Sequence, residues 1–227
     1  MTAALAIFVK TPGLSPVKTR LAAGIGAVAA LRFHQLAAEA TAEVARACEP
    51  WLAPYWALAE AGPAALAAWP EFVPLHQGQG GLGERLHTVY ARLQARHGRA
   101  LLIGADAPQL NVTLLRHALN MLDDTHTPFV IGPASDGGFW LFGGRAPLPR
   151  EVWTRVRYSQ PQAASELRQQ LAPHGAVGAI KRLTDVDNAD DLSALRRALE
   201  SLDPPQPAQQ RLLDWLKDIP EVASNAR

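Results

Sequence analysis

Cysteine is nearly missing from this chain: Cys48 is the only one in 227 residues. That excludes an internal disulfide and any metal site built from cysteines, and a lone thiol in an alanine-rich stretch fits an unreactive, buried place on a helix. A surplus of charge is missing as well. Lys and Arg total 22 against 21 Asp and Glu, a net of +1. No broad field therefore draws nucleic acid or an anionic membrane, and any anion has to be met by a local cluster. No apolar run approaches the roughly 20 residues of a membrane span. The opening "MTAALAIFVK" has no basic stretch ahead of its short apolar run, so it reads as a buried strand of a cytoplasmic protein and not as a signal peptide.

Familiar catalytic signatures are also lacking. "GIG" and "GQGGLG" do not make a dinucleotide fingerprint, because neither joins the six-residue glycine spacing to a preceding strand, an opening helix and an acid about 20 residues on. There is no Gly-x-Ser-x-Gly elbow and no Walker lysine. The seven histidines are scattered singly, without zinc spacing.

What is present is an alternation of short apolar runs with longer amphipathic stretches. With 48% apolar and 19% charged residues the composition is globular, and the length favours one large domain. "ALAIFV", "YWALAE", "FVPLH", "ALLIG", "PFVIG" and "FWLFG" read as strands. "GAVAALRFHQLAAEATAEVARACE", "LGERLHTVYARLQARHG", "VTLLRHALNMLDD" and "QAASELRQQLAPHG" read as helices. Strand followed by helix, repeated, predicts a mostly parallel sheet covered on both faces. "PFVIG" and "FWLFGG", joined by "PASDGG", predict a local antiparallel excursion. "DPPQPAQQ" reads as a linker and "RLLDWLKDI" as a short amphipathic helix, so the expected division is a domain over 1–203 and a linker with a C-terminal helix over 204–227.

Ligands of open α/β sheets bind beyond the carboxyl ends of the strands, which directs attention to four loops. "KTPGLSPVKTRL" gathers Lys10, Lys18 and Arg20. Lys18 and Arg20 offer a point charge and a planar fork to phosphate oxygens, on a loop stiffened by Pro12 and Pro16; the same cations could merely keep the loop solvated. "IGADAPQL" ends a buried strand in Gly104, where backbone can approach a ligand, and then presents Asp106 next to Pro108. One carboxylate together with a ligand's phosphates suffices for half a magnesium or manganese site. Helix capping is the alternative role, although Asn111 is better placed for it. In "GPASDGGFWLFGG", Asp136 heads either a hairpin turn or the acceptor side of a pocket, with Phe139 and Trp140 on opposite faces of the following strand. In "LTDVDNADDL", Asp190 and Asp191 suit the first turn of a helix, and either Asp185 or Asp187, just before it, could face Asp106.

Taken in order, "FVKTPGLSPVKTRLA", "GQGGLGERL", "LLIGADAPQL", "IGPASDGGFWLFG" and "LTDVDNADDL" resemble the bacterial DUF2064 family, described as glycosyltransferase-A-like and sometimes as radical-SAM/selenodomain-associated transferases. The resemblance runs from about residue 5 to 200. It implies a three-layer αβα sandwich of the Rossmann-like GT-A type, the nucleotide-diphospho-sugar transferase fold. That fold is shared with molybdenum-cofactor and phospholactate guanylyltransferases. Carried onto this chain, the resemblance assigns Lys18 and Arg20 to nucleotide phosphates, Asp106 and Asp187 to a magnesium or manganese ion, and Asp136 to the acceptor. The chain departs from the family pattern at Ser15, where a glycine is usual, at Gly81, where an acid is usual, and at Phe139, where Tyr is commoner.

The expectation is therefore a metal-dependent enzyme that binds a nucleotide-sugar and transfers the sugar to an acceptor hydroxyl, with Asp136 as candidate base. A nucleotidyltransferase releasing pyrophosphate from a nucleoside triphosphate is the alternative. A nucleotide-binding module without turnover is a third reading, suggested by Ser15 and Gly81.

Overall fold

The computed structural model describes residues 2–219. Seven strands form one sheet: β1 (Ala3–Val9), β2 (Leu52–Leu58), β3 (Val73–His76), β4 (Ala100–Gly104), β5 (Phe129–Pro133), β6 (Phe139–Gly144) and β7 (Val177–Ala179). Their order across the sheet is β3-β2-β1-β4-β6-β5-β7. All neighbours run parallel except β6, which is antiparallel to both β4 and β5. The expected antiparallel excursion is thus one inserted strand in a sheet that is otherwise parallel.

The central strands owe their place to apolar side chains on both faces, since successive residues point to opposite sides. In β4, Leu101 and Ile103 enter one core, and Ala100 and Leu102 enter the other. β1 divides in the same way, with Leu5 and Ile7 on one face and Ala4 and Ala6 on the other. The first core is closed by α2 (Ala27–Ala47) and α5 (Val112–Asp123), the second by α4 (Leu82–His97), α6 (Arg150–Thr154) and α7 (Ala163–Leu171). This is the three-layer αβα arrangement. Phe139 and Trp140 do separate, Trp140 into the first core and Phe139 against the second.

A third cluster lies outside the sandwich. α1 (Thr19–Ile25), the outer side of α2, α8 (Asp191–Glu200) and α9 (Pro207–Asp218) pack Leu21, Phe33, Leu36, Leu195, Leu199 and Leu212 together. α9 is the expected C-terminal helix; Gln209, buried in it, donates to the carbonyls of Pro108 and Leu110. Residues 220–227 of the expected 204–227 segment lie outside the described residues.

Local differences from the sequence reading have simple causes. β2 begins at Leu52, three residues before "YWALAE", because parallel pairing with all of β1 extends it. α1, α3 (Pro63–Ala68) and α6 are too short to show a period, and β7 is a three-residue edge strand containing Gly178. Cys48 is fully buried where it ends α2, and burial pushes its thiol up to about 12. Among the described residues, no helix is long and apolar enough to cross a membrane.

Candidate functional site

The carboxyl ends of β1, β2 and β4 open onto a cleft of about 690 Å³, lined by the Lys10–Arg20 loop, the glycine-rich turn before α4, and Asp106 and Asp187. Its floor is held by buried polar contacts. Gln77 donates to the carbonyl of Ala57 at 2.8 Å. Glu60 accepts from the Thr11 amide at 2.8 Å; burial pushes its carboxyl up, but hydrogen bonds from Ser15 and Thr11 outweigh that and leave it below the ordinary value. His34 is buried with Nε2 3.1 Å from the Lys10 carbonyl, and burial lowers its pKa.

The two cations singled out in the first loop have different surroundings. Lys18 adopts the left-handed conformation (φ 48°, ψ 40°) as the N-cap of α1, unusual for a residue with a side chain. Its side chain is only 7% exposed, with Nζ 2.5 Å from Asp106 Oδ1, 2.5 Å from the Val186 carbonyl and 3.9 Å from Asp187. Arg20 is 63% exposed and pairs with Asp187 Oδ2 at 3.0 Å. The Val186 amide also donates to the Asp106 carbonyl at 2.9 Å. Lys18 therefore ties three loops together, and its charge is already engaged.

Asp106 and Asp187 both line the cleft, on either side of Lys18. Asp106 lies beside Lys18, whereas Asp136, Asp185 and Asp187 each offer a carboxylate oxygen, all within 4.8 Å of one another. Asp136 is held in its turn by the Gly138 amide, 2.7 Å from Oδ1. That turn is fixed from behind at Gly137 (φ 89°), where a Cβ would lie 2.0 Å from the Pro161 carbonyl; only glycine fits. Asp187 takes its place from Asp191, whose Oδ2 accepts from the amides of Asp187 and Asn188. Asp191 thus does more than complement a helix dipole.

Asp185 was open in the sequence as the alternative to Asp187, and the structure brings both into the same group. Burial, followed by the neighbouring Asp136 carboxylate, pushes the Asp185 carboxyl up to about 7. Its Oδ1 is buried without a hydrogen-bond partner. The sequence signal was the spacing: in "DVD" the two acids flank a fully buried Val186, as an extended segment requires.

Two further cations line the cleft, Arg85, which carried little weight in the sequence, and Lys10, which the first loop had offered beside Lys18 and Arg20. Arg85 is braced by the Gly80 carbonyl at 3.1 Å and lines the cleft with no carboxylate partner among the described residues. The turn ahead of it needs Gly80 at φ 96°, and Glu84 accepts from the Gly81 amide to cap α4. Lys10 is exposed at the cleft edge and also lacks a carboxylate partner among the described residues. Gly104 ends β4, but a Cβ there would meet only Asp106, at 3.7 Å, an ordinary contact.

Residues 34–160 match the profile of DUF2064, described as an uncharacterized protein conserved in bacteria. The chain belongs to the DUF2064 family. The match spans the "GQGGLGERL", "LLIGADAPQL" and "IGPASDGGFWLFG" motifs, while the Lys18 loop and the "DVD" segment flank it. No curated protein matches the chain in sequence. Among solved structures it is similar to a protein of Desulfovibrio desulfuricans G20 provisionally assigned as a nucleotide-diphospho-sugar transferase (TM-score 0.81, 24% identity, covering 96% of this chain and 98% of that one). It is also similar to a cytidylyltransferase of Leptospira borgpetersenii serovar Hardjo-bovis (0.59, 12%, 100% and 98%). A third similar structure is a CMP:2-keto-3-deoxy-manno-octonic acid synthetase complexed with CTP (0.52, 15%, 88% and 99%). With the sheet order, these likenesses establish the nucleotide-diphospho-sugar transferase fold.

Proposed function

We propose that this member of the DUF2064 family is a transferase that binds a nucleotide-sugar through its diphosphate, uses a magnesium or manganese ion, and passes the sugar to an acceptor hydroxyl. The observation that carries this reading is the charge layout of the cleft. Lys10 and Arg85, cations without carboxylate partners among the described residues, line the cleft together with the N-terminal end of α4, and Asp187 brings a trio of carboxylates to its edge. Helix N-termini and unpaired cations favour phosphate.

The residues fit a hard dication. Three convergent carboxylates, one with a buried oxygen lacking a partner and a raised pKa, hold more negative charge than Lys18 and Arg20 offset. Oxygen-only donors suit magnesium or manganese. In this reading Asp185 and Asp187 hold the ion. When bound, it supplies charge neutralisation for a departing diphosphate. Lys10 and Arg85 grip the phosphates. Lys18 braces the Asp106 loop against Val186, and Arg20 steadies Asp187. Asp136, the exposed member of the trio, takes the proton of the acceptor hydroxyl.

Nucleotidyl transfer is the second reading, supported by the likeness to the cytidylyltransferase over the whole of this chain. It would use the same cations and carboxylates. The products separate the two, because sugar transfer frees a nucleoside diphosphate and nucleotidyl transfer frees pyrophosphate. Incubating the protein and manganese with a panel of nucleotide-sugars and triphosphates should release nucleoside diphosphate slowly from at least one sugar donor, with water replacing the acceptor. Pyrophosphate from a triphosphate, with no diphosphate from any sugar donor, would establish the second reading instead. Tight binding with neither product would point to a binding module.

A further inference from the structure

Gln77 follows β3 on the floor of the cleft, immediately before the "GQGGLGERL" motif, and the proposed reaction gives it no role. It is 4% exposed. A buried amide side chain is costly unless both of its ends are bonded, so its partners show what it does there. The Gln77 backbone amide donates to the Leu58 carbonyl at 2.9 Å, and the side-chain Nε2 donates to the carbonyls of Ala57 at 2.8 Å and Val9 at 3.4 Å. These contacts tie the residue to the carboxyl ends of β1 and β2 and fix which end of the amide is the oxygen. That oxygen, Oε1, accepts from Nη1 of Arg85 at 3.5 Å.

Arg85 is therefore held at two points, Nη1 by Gln77 and Nε by the Gly80 carbonyl at 3.1 Å, and both acceptors are neutral. Two other cations of the cleft are paired with acids, Lys18 with Asp106 and Arg20 with Asp187. The acid next to Arg85 in the chain, Glu84, is engaged elsewhere. Its Oε1 accepts from Arg150 Nη2 at 3.0 Å and its Oε2 from the Gly81 amide at 3.1 Å. A free arginine gives up much rotamer freedom when it grips a ligand, and a carboxylate that ordered it in advance would offset the charge the ligand needs. Two neutral oxygens order the guanidinium without offsetting that charge.

We propose that Gln77 is a positioning residue, which holds the Arg85 guanidinium ready for a ligand's diphosphate through a neutral contact that leaves its charge uncompensated. The assignment rests on Arg85 gripping phosphate, as in the proposed function. Through Val9 and Ala57 it also makes the central sheet, and not the exposed turn alone, the reference for where Arg85 stands.

The test uses the full chain without metal, with inorganic pyrophosphate as the probe in calorimetry and the Arg85 Nε–Hε signal in NMR as a readout that needs no ligand. In the ligand-free parent that signal should stand apart from those of mobile arginines, and in Gln77→Met it should collapse toward them. Gln77→Met should weaken pyrophosphate binding about threefold to tenfold, as loss of one hydrogen-bonded brace implies, and should have no further effect in an Arg85→Ala background. Arg85→Lys, which keeps the charge but cannot be held as a planar fork, should lose at least as much. An unmoved Arg85 signal in Gln77→Met, or a loss of binding that persists without Arg85, would overturn the assignment. Should Gln77→Met fail to fold, Arg85→Lys decides, and binding as tight as the parent's would overturn it. Arg85→Ala binding pyrophosphate as tightly as the parent would overturn the phosphate role of Arg85 itself, and the NMR signal separates that failure from failure of the brace.

Discussion

Lys18 and Arg20 stand two residues apart in one loop, and each faces an aspartate, yet they do different work. The Lys18 side chain is buried and satisfied by Asp106 and a backbone carbonyl; the Arg20 guanidinium is exposed and reaches Asp187 at the surface. Solvent screens the second pair more than the first, so similar contacts differ in strength. Of the two cations that the sequence offers for phosphate, Lys18 already holds a carboxylate and a backbone carbonyl in the fold.

Breaking the buried half should have the largest effect. Lys18→Ala leaves the Val186 carbonyl and Asp106 unpaired and should cost about 2–3 kcal/mol, moderated because the Asp106 side chain is 47% exposed. Denaturant titration should show a lowered midpoint at unchanged slope. Arg85→Ala should instead leave stability intact and weaken nucleoside diphosphate binding by about 1.5–3 kcal/mol, with nucleoside binding unchanged, as calorimetry can read.

A pH scan sharpens the contrast from the acidic side. The Asp185 carboxyl has its pKa raised to about 7 in the fold, so it favours the folded state while protonated. That contribution is present at low pH and is lost as pH rises from the ordinary carboxylate range through about 7. Metal-free Asp185→Asn should therefore melt higher than the parent protein at pH 8 and nearly level with it at pH 4. The smallest effect belongs to Arg20→Ala, expected within about 1 kcal/mol and shrinking further in high salt.

The architecture was legible because both-face apolarity in "ALAIFV" and "ALLIG" dictates central strands, and because Asn111 marks the start of α5, as its bond to the Leu114 amide shows. The elements that escaped, α1 and β7, are too short for a period to emerge. The loops of the candidate site were legible too, but not the partnerships within them. Residue type says that Lys18 is a cation; only the fold says that Asp106 and Val186, distant in sequence, have claimed it. Likewise "DVD" shows two acids on one side, while the presence of Asp136 beside them depends on where the Gly137 turn is pinned by Pro161.

The central claim of the proposal is that Asp185 and Asp187 hold the dication, with Asp136 beside them, and that Asp106 is a brace. Water proton relaxation with manganese tests it directly, comparing the parent protein with Asp185→Asn and Asp106→Asn. Manganese binding should be lost or severely weakened in Asp185→Asn and largely kept in Asp106→Asn. Binding kept in Asp185→Asn but lost in Asp106→Asn would contradict the account and return the metal to Asp106.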